Sequence, residues 1–460
     1  MPWPTEPANI ARSLAAHATA WFWLDGAATT PGEARFSLLG AAAEVRVATR
    51  GSEREFLAGL RASAVVGDAV PPGSAADAPG GGFQLGWVVA LAYEFGVALL
   101  GVTPAFDDEA PGVALRANVV LRLDHDRREA ELCGESSAEL DAWWSAHGPA
   151  WTQPAAASPA SIADTTTAQI APRVPPGSTS TTSTPRWLRG AEDYAASVRA
   201  CLDAITAGEA YVLCLTDRAE TRASPDPLEL FLRLRARGPS LRGGVLAWED
   251  RALVSASPER FLTVADREVR THPIKGTRPR DPRPETDRAL AAELAADPKE
   301  RAENLMIVDL MRNDLSRVCV PGTIDTRGFL RVEAHPHVHQ LVSTVAGTLR
   351  PECDAVDALL ACFPGGSMTG APKRRAVQLL ADLEGVPRGL YSGCFGWLDD
   401  GGDAELAMTI RSVEVRGRGG PNPRAWVGAG GGITADSDPA REERERRLKA
   451  DPLLAALAGA

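Results

Sequence analysis

Lysine is scarce in this chain. Only four of its 49 lysines and arginines are lysine. Arginine carries nearly all the other positive charge, but a guanidinium does not lose its proton near neutral pH and does not act as a nucleophile. A buried ammonium group can do both. The lysines therefore indicate positions with special roles, and all of them stand in the C-terminal half, at Lys275, Lys299, Lys373 and Lys449.

Cysteine is also sparse, and it follows no pairing pattern. The seven cysteines form no Cys-x-x-Cys motif, and an odd, scattered set favours reduced thiols over a disulfide framework. A signal peptide has a basic start followed by an apolar run, and the first residues of this chain lack that pattern. We therefore expect a cytoplasmic protein.

Long apolar runs and an excess of positive charge are absent as well. The most apolar stretch, 83–102, is interrupted by Gln84, Glu94 and three glycines. It predicts a buried strand and helix rather than a membrane span. The net charge of −11 argues against a nucleic-acid partner, which would require a basic face.

Composition divides the chain into two parts. Residues 152–187 consist mainly of Ala, Ser, Thr and Pro, which offer too little apolar surface to order a segment. We predict a flexible linker there, between an N-terminal β-rich subdomain at 1–151 and a catalytic domain at 188–460. The length also allows a single large interwoven core.

Hydrophobic patterns predict an α+β fold. Helical periods alternate with short β-branched runs whose spacing favours antiparallel pairing. The predicted helices are 191–207, 226–237, 285–296, 299–317, 372–384 and 439–457. The predicted strands are 113–123, 129–133, 210–217, 243–248, 252–256, 405–416 and 424–429.

Glutamates on two predicted helices indicate a site for a hard cation. Glu442, Glu445 and Lys449 share one stripe of the last helix. Glu303 lies on a partly apolar face of another helix, where a carboxylate needs a partner. Mg²⁺ binds one or two carboxylates together with water and substrate oxygens. A solvated face of Glu–Arg pairs is the alternative explanation for the last helix.

Two glycine-rich segments could bind anionic groups through their backbone amides. Residues 363–373 precede a predicted helix, whose N-terminus attracts anions. This segment is not a Walker loop, because Gly370 is followed by Ala-Pro. Residues 428–432 follow a predicted strand, and their amides could receive a carboxylate.

Seven motifs, in order along the chain, closely resemble those of the chorismate-utilising enzymes. This family contains anthranilate synthase component I, aminodeoxychorismate synthase component I, and the isochorismate and salicylate synthases. The resemblance is strong over about 190–455 and fainter in the N-terminal part, at 35–40 and 86–94. The motifs lie at 257–261, 273–277, 302–310, 312–315, 370–373, 387–391 and 435–439. The implied fold is anthranilate-synthase-like: large antiparallel β-sheets packed as a sandwich with flanking helices.

The resemblance implies roles for the residues at matching positions. Glu303 and Glu445 would hold Mg²⁺, with Glu442 close by or acting through water, and the ion would anchor a carboxylate of chorismate. Glu259 would be the general acid for the departing C4 hydroxyl, a role that needs a raised pKa. The implied substrate contacts are Thr277, Ser367, Tyr391, Arg411, Gly428, Ala429, Gly430 and Lys449.

Lys275 distinguishes among the family's members. Enzymes similar to anthranilate synthase carry Ala here, and those similar to aminodeoxychorismate synthase often carry Lys. The resemblance implies that the amine adds to C2 of chorismate as the C4 hydroxyl leaves, and that ammonia then attacks C4 and expels the lysine. This path needs a neutral amine, so we predict that the pocket lowers the pKa of Lys275. The alternative is a non-covalent contact with a substrate carboxylate.

The expected relationship is therefore closest to aminodeoxychorismate synthase component I. Anthranilate synthase component I is the main alternative, and synthesis of 2-amino-2-deoxyisochorismate is less favoured. Val212 stands where isochorismate synthases carry a lysine base, which disfavours water attack at C2. Anthranilate synthases place a catalytic His directly before Leu-Val-Ser, but Gln340 stands there, so the role passes only weakly to His339. Residues 21–26 replace the element that binds feedback tryptophan, and we expect no tryptophan inhibition.

Ammonia is expected from a separate glutamine amidotransferase subunit. The chain has no Gly-x-Cys-x-Gly nucleophile turn, and Cys394 lies in Ser-Gly-Cys-Phe-Gly, which is shifted by one position.

A histidine cluster suggests a distant alternative from another class. His335, His337 and His339 alternate, so a strand would place them on one face, as in a transition-metal site. A metal hydrolase is disfavoured because Pro336 disturbs such a strand.

Overall fold

The computed structural model describes residues 1–27, 35–63, 83–154, 185–238, 240–335 and 338–459. The helices within these ranges are α1 Pro7–His17, α2 Glu53–Ser63, α3 Tyr93–Leu99, α4 Ser137–His147, α5 Ala191–Thr206, α6 Pro227–Arg237, α7 Pro284–Ala296, α8 Pro298–Ser316, α9 Ala355–Cys362, α10 Lys373–Glu384 and α11 Pro439–Leu457. None of these helices has the length and apolar character needed to cross a membrane.

The strands within the same ranges are interspersed with the helices along the chain. They are β1 Ala20–Asp25, β2 Phe36–Ala41, β3 Glu44–Val47, β4 Gly86–Leu91, β5 Gly112–Ala117, β6 Val119–Asp124, β7 Glu129–Gly134, β8 Arg186–Trp187, β9 Val212–Thr221, β10 Arg242–Trp248, β11 Arg251–Ser257, β12 Arg260–Ala265, β13 Glu268–Thr271, β14 Ile274–Pro279, β15 Asp325–Ala334, β16 Val338–Thr348, β17 Gly370–Ala371, β18 Cys394–Asp399, β19 Ala404–Met408, β20 Ser412–Arg416 and β21 Arg424–Ile433.

These strands form two large antiparallel sheets. In the described residues the first sheet has eleven strands in the order β17-β9-β21-β20-β11-β10-β1-β2-β6-β7, with β8 beside β9. The second has ten, in the order β14-β16-β13-β12-β19-β18-β4-β5-β3, with β15 beside β16. Each sheet contains strands from both 1–151 and 188–460. The N-terminal segment therefore completes two shared sheets instead of building a subdomain core of its own.

The sheets pack face to face, and helices cover both outer faces. Phe22 of the first sheet and Val88 of the second belong to the core between the sheets. Trp23, one residue along from Phe22, faces an outer core together with α1, α4, α6 and α11. Val89 faces the other outer core with α2, α8 and α9. The α+β fold of packed antiparallel sheets with flanking helices is thus confirmed.

The six predicted C-terminal helices agree with the structure to within one residue at each end. The predicted strand and helix at 83–102 are present as β4 and α3. Two strand predictions need correction, because the chain changes sheets inside them. The run 113–123 breaks at Asn118 into β5 and β6, and the run 405–416 breaks at 409–411 into β19 and β20. Most of the predicted linker lies outside the described residues.

Candidate active site

The site forms where the chain passes twice between the sheets. Glu259 lies between β11 of the first sheet and β12 of the second, and Arg411 lies between β19 and β20. The two crossings are hydrogen-bonded: Met408 N donates to the Glu259 carbonyl at 3.1 Å, and Ala256 N donates to the Arg411 carbonyl at 3.0 Å. Arg411 has a φ of +51°, a strained conformation that is common at functional sites. The fold thus brings two predicted site residues together.

The glycine-rich part of β21 forms one wall. Sequence patterns place residues 428–432 after a strand, but they belong to β21 itself. Strand β20 pairs with β21 only as far as Val427, so beyond that point one edge of β21 has no strand partner in the described part of the chain. A Cβ at Gly428 would lie 2.1 Å from the Tyr391 ring. Glycine is therefore required for the approach of Tyr391, whose raised pKa, caused by burial, keeps the phenol protonated.

Three of the four lysines meet the three predicted metal-binding glutamates. Lys299 Nζ lies 3.7 Å from an oxygen of Glu303 and 3.7 Å from an oxygen of Glu442. Lys275 Nζ lies 3.8 Å from the other oxygen of Glu303. The remaining contacts are those of Lys449, which lies 2.7 Å from Glu445 and donates to the carbonyl of Gly430 at 2.8 Å. We call this group the lysine–glutamate cluster.

The cluster surrounds the glycines of β21. A Cβ at Gly431 would lie 3.1 Å from Glu442 Oε2 and 3.4 Å from Glu445 Oε1, and one at Gly432 would lie 3.8 Å from Glu303 Oε2. The carboxylates of α8 and α11 thus face one space, which is open because Gly431 and Gly432 have no side chains. Their hard oxygen donors suit Mg²⁺, although among the described residues no three His, Cys, Asp or Glu side chains form a ready metal-ligand group. Lysine ammonium groups provide the positive charge between them.

Asn304 fixes α8 against the strands beside the site. Its buried side chain donates to the carbonyls of Pro273 and Leu341 at 3.3 and 3.4 Å and accepts a 2.6 Å hydrogen bond from the Ser343 hydroxyl. These contacts set the rotation of α8 and therefore the direction of Glu303, the preceding residue.

The prediction that the pocket lowers the pKa of Lys275 is wrong in direction. Burial opposes its charged form, but the negative charges around it, above all that of Glu303, outweigh burial and raise the pKa. The sequence identified the lysine and these carboxylates, but not how closely the fold gathers them, and their charges decide the direction of the shift.

Glu259 has the property expected of a general acid. Burial raises the pKa of its carboxyl, while a hydrogen bond from Ser367 and the charges of Lys275 and Lys449 lower it and only partly offset burial. The carboxyl therefore keeps its proton to higher pH than an exposed glutamate does, and the protonated form can donate to a leaving hydroxyl.

Replacing Ser367 with alanine tests this assignment through pH dependence. Ser367 stabilises the Glu259 carboxylate, so Ser367→Ala raises the pKa of Glu259 further. Activity that needs protonated Glu259 is lost as pH rises through that pKa. We therefore expect the alkaline fall of kcat to move to higher pH in Ser367→Ala, measured across a pH series. A shift to lower pH would contradict the assignment.

Three predicted site residues and the fourth lysine have other surroundings. Ala429 belongs to the outer core with α11, so its backbone alone can face a substrate, and Thr277 is exposed on β14. His339 bonds to Asp287 of α7 at 2.8 Å, and its contacts do not connect it to the cluster. Lys373, the fourth lysine, bonds to Asp314 at 2.5 Å and to the Cys362 carbonyl at 2.9 Å in a buried ion pair.

The histidine alternative gains no support from the described residues. His335 lies 3.7 Å from Glu333, His339 bonds to Asp287, and His337 lies outside the described residues.

All seven cysteines are free thiols.

The scarcity of lysine marked Lys299 as a special position, but the sequence gave it no specific role in the site. It also gave none to Arg388, which lies in the motif at 387–391 and is buried.

Comparisons with known proteins give consistent results. The family model of chorismate binding enzymes matches residues 20–455. An aminodeoxychorismate synthase of Streptomyces pristinaespiralis is 39% identical over 97% of this chain and 63% of its own length. Another, from Streptomyces griseus, is 40% identical over 81% of this chain and 50% of its own. The anthranilate synthase component 1 of Arthrobacter globiformis is 45% identical over 57% of this chain and 50% of its own. This chain thus spans about half to two thirds of these relatives.

Solved structures share the fold. Anthranilate synthase component I from Streptococcus pneumoniae superposes with a TM-score of 0.74 and 25% identity, covering 93% of both chains. The menaquinone-specific isochorismate synthase of Escherichia coli has a TM-score of 0.66 at 21% identity, over 97% of this chain and 91% of its own. The family match over nearly the whole chain shows that this chain belongs to the chorismate-binding enzymes.

Proposed function

We propose that the chain converts chorismate and ammonia to 4-amino-4-deoxychorismate. The observation that carries the proposal is the position of Lys275, whose amine lies inside the lysine–glutamate cluster, 3.5 Å from the point that a Cβ of Gly432 would occupy. The aminodeoxychorismate synthases that match at 39 and 40% identity support this choice.

Lys275 and Glu259 supply the two halves of the first step. The neutral amine forms a bond to C2 of chorismate while the bond between C4 and its hydroxyl oxygen breaks and the ring double bonds shift between them. Glu259 gives its proton to the departing oxygen, which leaves as water. Ammonia then forms a bond to C4, and the bond between C2 and Lys275 breaks. The Glu259 carboxylate takes the proton that the attacking ammonia loses.

The cluster also suits a divalent cation held by Glu303 and Glu445, with Glu442 beside them. When bound, Mg²⁺ would supply positive charge that neutralises these carboxylates and anchors a carboxylate of the substrate. Negative charge on Glu303 and Glu445 is part of what raises the pKa of Lys275. With that charge neutralised, burial would act on Lys275 with less opposition and would favour the neutral amine that the addition requires.

Glu445→Gln should weaken Mg²⁺ binding at least about tenfold, because it removes one anionic oxygen donor from a site with few. Glu443→Gln is the matched control, since Glu443 lies on the same helix but pairs with Arg446 and Arg447. Calorimetric titration with Mg²⁺ measures affinity independently of turnover. Equal affinities in the two variants would contradict a metal site at this place.

Anthranilate synthesis is the second candidate. It is favoured by the identity of 45% to the anthranilate synthase component 1 of Arthrobacter globiformis over 57% of this chain. Lys275 argues against it, because an amine in this position is not needed to add ammonia at C2.

Ammonia would come from a glutamine amidotransferase. Cys394 is fully buried in β18, and burial raises the pKa of its thiol. A thiol of this kind is inert as a nucleophile.

The proposal is tested by incubating the purified protein with chorismate, Mg²⁺ and ammonium salt and identifying the product by mass. We expect 4-amino-4-deoxychorismate without pyruvate release. Pyruvate formed together with anthranilate would assign the protein to the second candidate.

A further inference from the structure

The guanidinium of Arg388 forms all its hydrogen bonds within the protein, next to the site but outside the lysine–glutamate cluster. Nε and Nη2 donate to the two carboxylate oxygens of Glu384 at 2.8 and 2.7 Å. Nη2 also donates to the carbonyl of Cys214 at 2.8 Å. Nη1 donates to the carbonyl of Met368 at 2.7 Å and to the hydroxyl of Ser392 at 3.3 Å. All five N–H groups of the side chain are therefore in use.

Buried carboxylates hold the backbone of the same turn. Glu94 accepts hydrogen bonds from the amides of Arg388 and Gly389 at 2.7 and 3.1 Å. Glu414 accepts one from the amide of Leu390 at 2.7 Å. The guanidinium of Arg388 also lies 4.1 Å from the centre of the Tyr93 ring, a favourable cation–π arrangement. The turn is thus fixed from several sides before it reaches Tyr391.

Three of the groups that Arg388 contacts adjoin parts of the candidate site. Met368 follows Ser367, the residue that bonds to Glu259. Ser392 follows Tyr391. Cys214 lies on β9 opposite Gly432, where the lysine–glutamate cluster begins. Three segments that are distant in the chain therefore meet at one side chain that does not itself reach the cluster.

Glu384 extends these connections along β9. The oxygen that pairs with Arg388 Nη2 also accepts hydrogen bonds from the amide and the hydroxyl of Thr216, both at 2.9 Å. Thr216 is the strand partner of Gly430, whose carbonyl accepts from Lys449. The Arg388–Glu384 pair therefore supports β9, the strand that pairs with the wall formed by β21.

We propose that Arg388 is a positioning residue that holds the Ser367 turn, the Tyr391 turn and strand β9 in one arrangement, so that the shape of the chorismate pocket depends on its five-donor fork. The inference rests on the proposed function only in taking chorismate as the ligand. Lysine keeps the charge but cannot reproduce the planar fork. Loss of the fork lets the three segments move independently.

Calorimetric titration with chorismate tests the inference without reference to the product. We expect the dissociation constant of Arg388→Lys to rise at least about tenfold. Arg116→Lys is the matched control, because Arg116 makes a two-point pair with Asp400 at 2.6 and 2.7 Å and its guanidinium lies near Trp87, far along the second sheet from the site. Its dissociation constant should stay within about twofold of the wild-type value.

Kinetics separate positioning from a purely structural role. A displaced Ser367 turn disturbs Glu259 and a displaced Tyr391 disturbs ring binding, so Arg388→Lys should lower kcat and raise KM together, with kcat/KM falling about a hundredfold. A variant that merely contains fewer folded molecules keeps the wild-type KM. Added methylguanidinium should restore part of the chorismate binding of Arg388→Ala and should not affect Arg116→Ala.

A folded Arg388→Lys that binds chorismate as the wild type does would overturn the inference. If that variant does not fold, Glu384→Gln takes its place, because it keeps the shape of the partner and weakens its hold on Arg388; unchanged chorismate binding there would overturn the inference equally. A wild-type protein that binds chorismate but forms another product would refute the proposed function. The effect of Arg388→Lys on chorismate binding would still test the inference. A wild-type protein that does not bind chorismate would refute both.

Discussion

Lys275→Arg should abolish amino transfer to chorismate while leaving a folded protein that binds chorismate. Arginine keeps a positive charge beside Glu303 but does not become a neutral nucleophile near neutral pH. If the amine forms a covalent bond to C2, its loss should lower kcat by at least about a thousandfold. If Lys275 merely contacts a substrate carboxylate, arginine should serve nearly as well. The rate of product formation, measured at saturating chorismate and ammonium, separates the two roles.

Lys373→Arg is the matched control for this exchange. Lys373 is buried, and it pairs with Asp314 instead of a carboxylate of the lysine–glutamate cluster. The control should lose some stability and keep its turnover per folded molecule. A further readout is the intact mass of the wild-type protein incubated with chorismate without ammonia. It should gain the mass of chorismate less one water, and the gain should map to the peptide that contains Lys275. Substantial activity in Lys275→Arg would exclude the covalent path.

Glu259→Gln should lower kcat by about 10²–10⁴-fold, the usual contribution of a positioned general acid. Glutamine keeps the size of the side chain and can still bond to Ser367, but it has no proton to give to the departing C4 oxygen. The pKa of Glu259 is raised by burial, so the acid form persists to higher pH than that of an exposed glutamate.

Substrate binding distinguishes this loss from a damaged pocket. The chorismate dissociation constant of Glu259→Gln should stay close to the wild-type value, because the acid acts on the leaving group in the transition state. The alkaline fall in kcat that reflects Glu259 should also disappear from the residual activity. A variant with near-normal kcat would show that another group, or solvent, protonates the hydroxyl.

Three of the helices were predictable because they carry their own start signals. Asp226, Asp297 and Asp438 cap α6, α8 and α11 with their side chains, and each is followed by proline, the usual start of a helix. Such signals are local in sequence and need no knowledge of the fold.

Strands were less predictable because both faces of many strands are buried. In β1 every residue is buried, Trp23 toward an outer core and Phe22 toward the inner one, so the alternation that identifies a half-exposed strand disappears. The changes of sheet at Asn118 and at 409–411 depend on which sheet each half joins, which is a tertiary property.

The residue types of the site were predictable from motifs, but their electrostatics were not. The motifs identified Lys275, Glu259 and Glu303, and the fold brings them together. The direction of the pKa shift of Lys275 depends on carboxylates from α8, α11 and the crossing at Glu259, which are far apart in sequence. The place of Lys299 is likewise set by the fold, because its ammonium group lies between Glu303 and Glu442 of two different helices.

The position of the new nitrogen tests the central claim most directly. Purified protein would be incubated with chorismate, Mg²⁺ and isotopically labelled ammonium, and the product examined by NMR. The account predicts that the label is bonded to C4 of 4-amino-4-deoxychorismate, with no pyruvate released. A label at C2 in anthranilate, accompanied by pyruvate, would contradict it and show that Lys275 does not direct ammonia to C4.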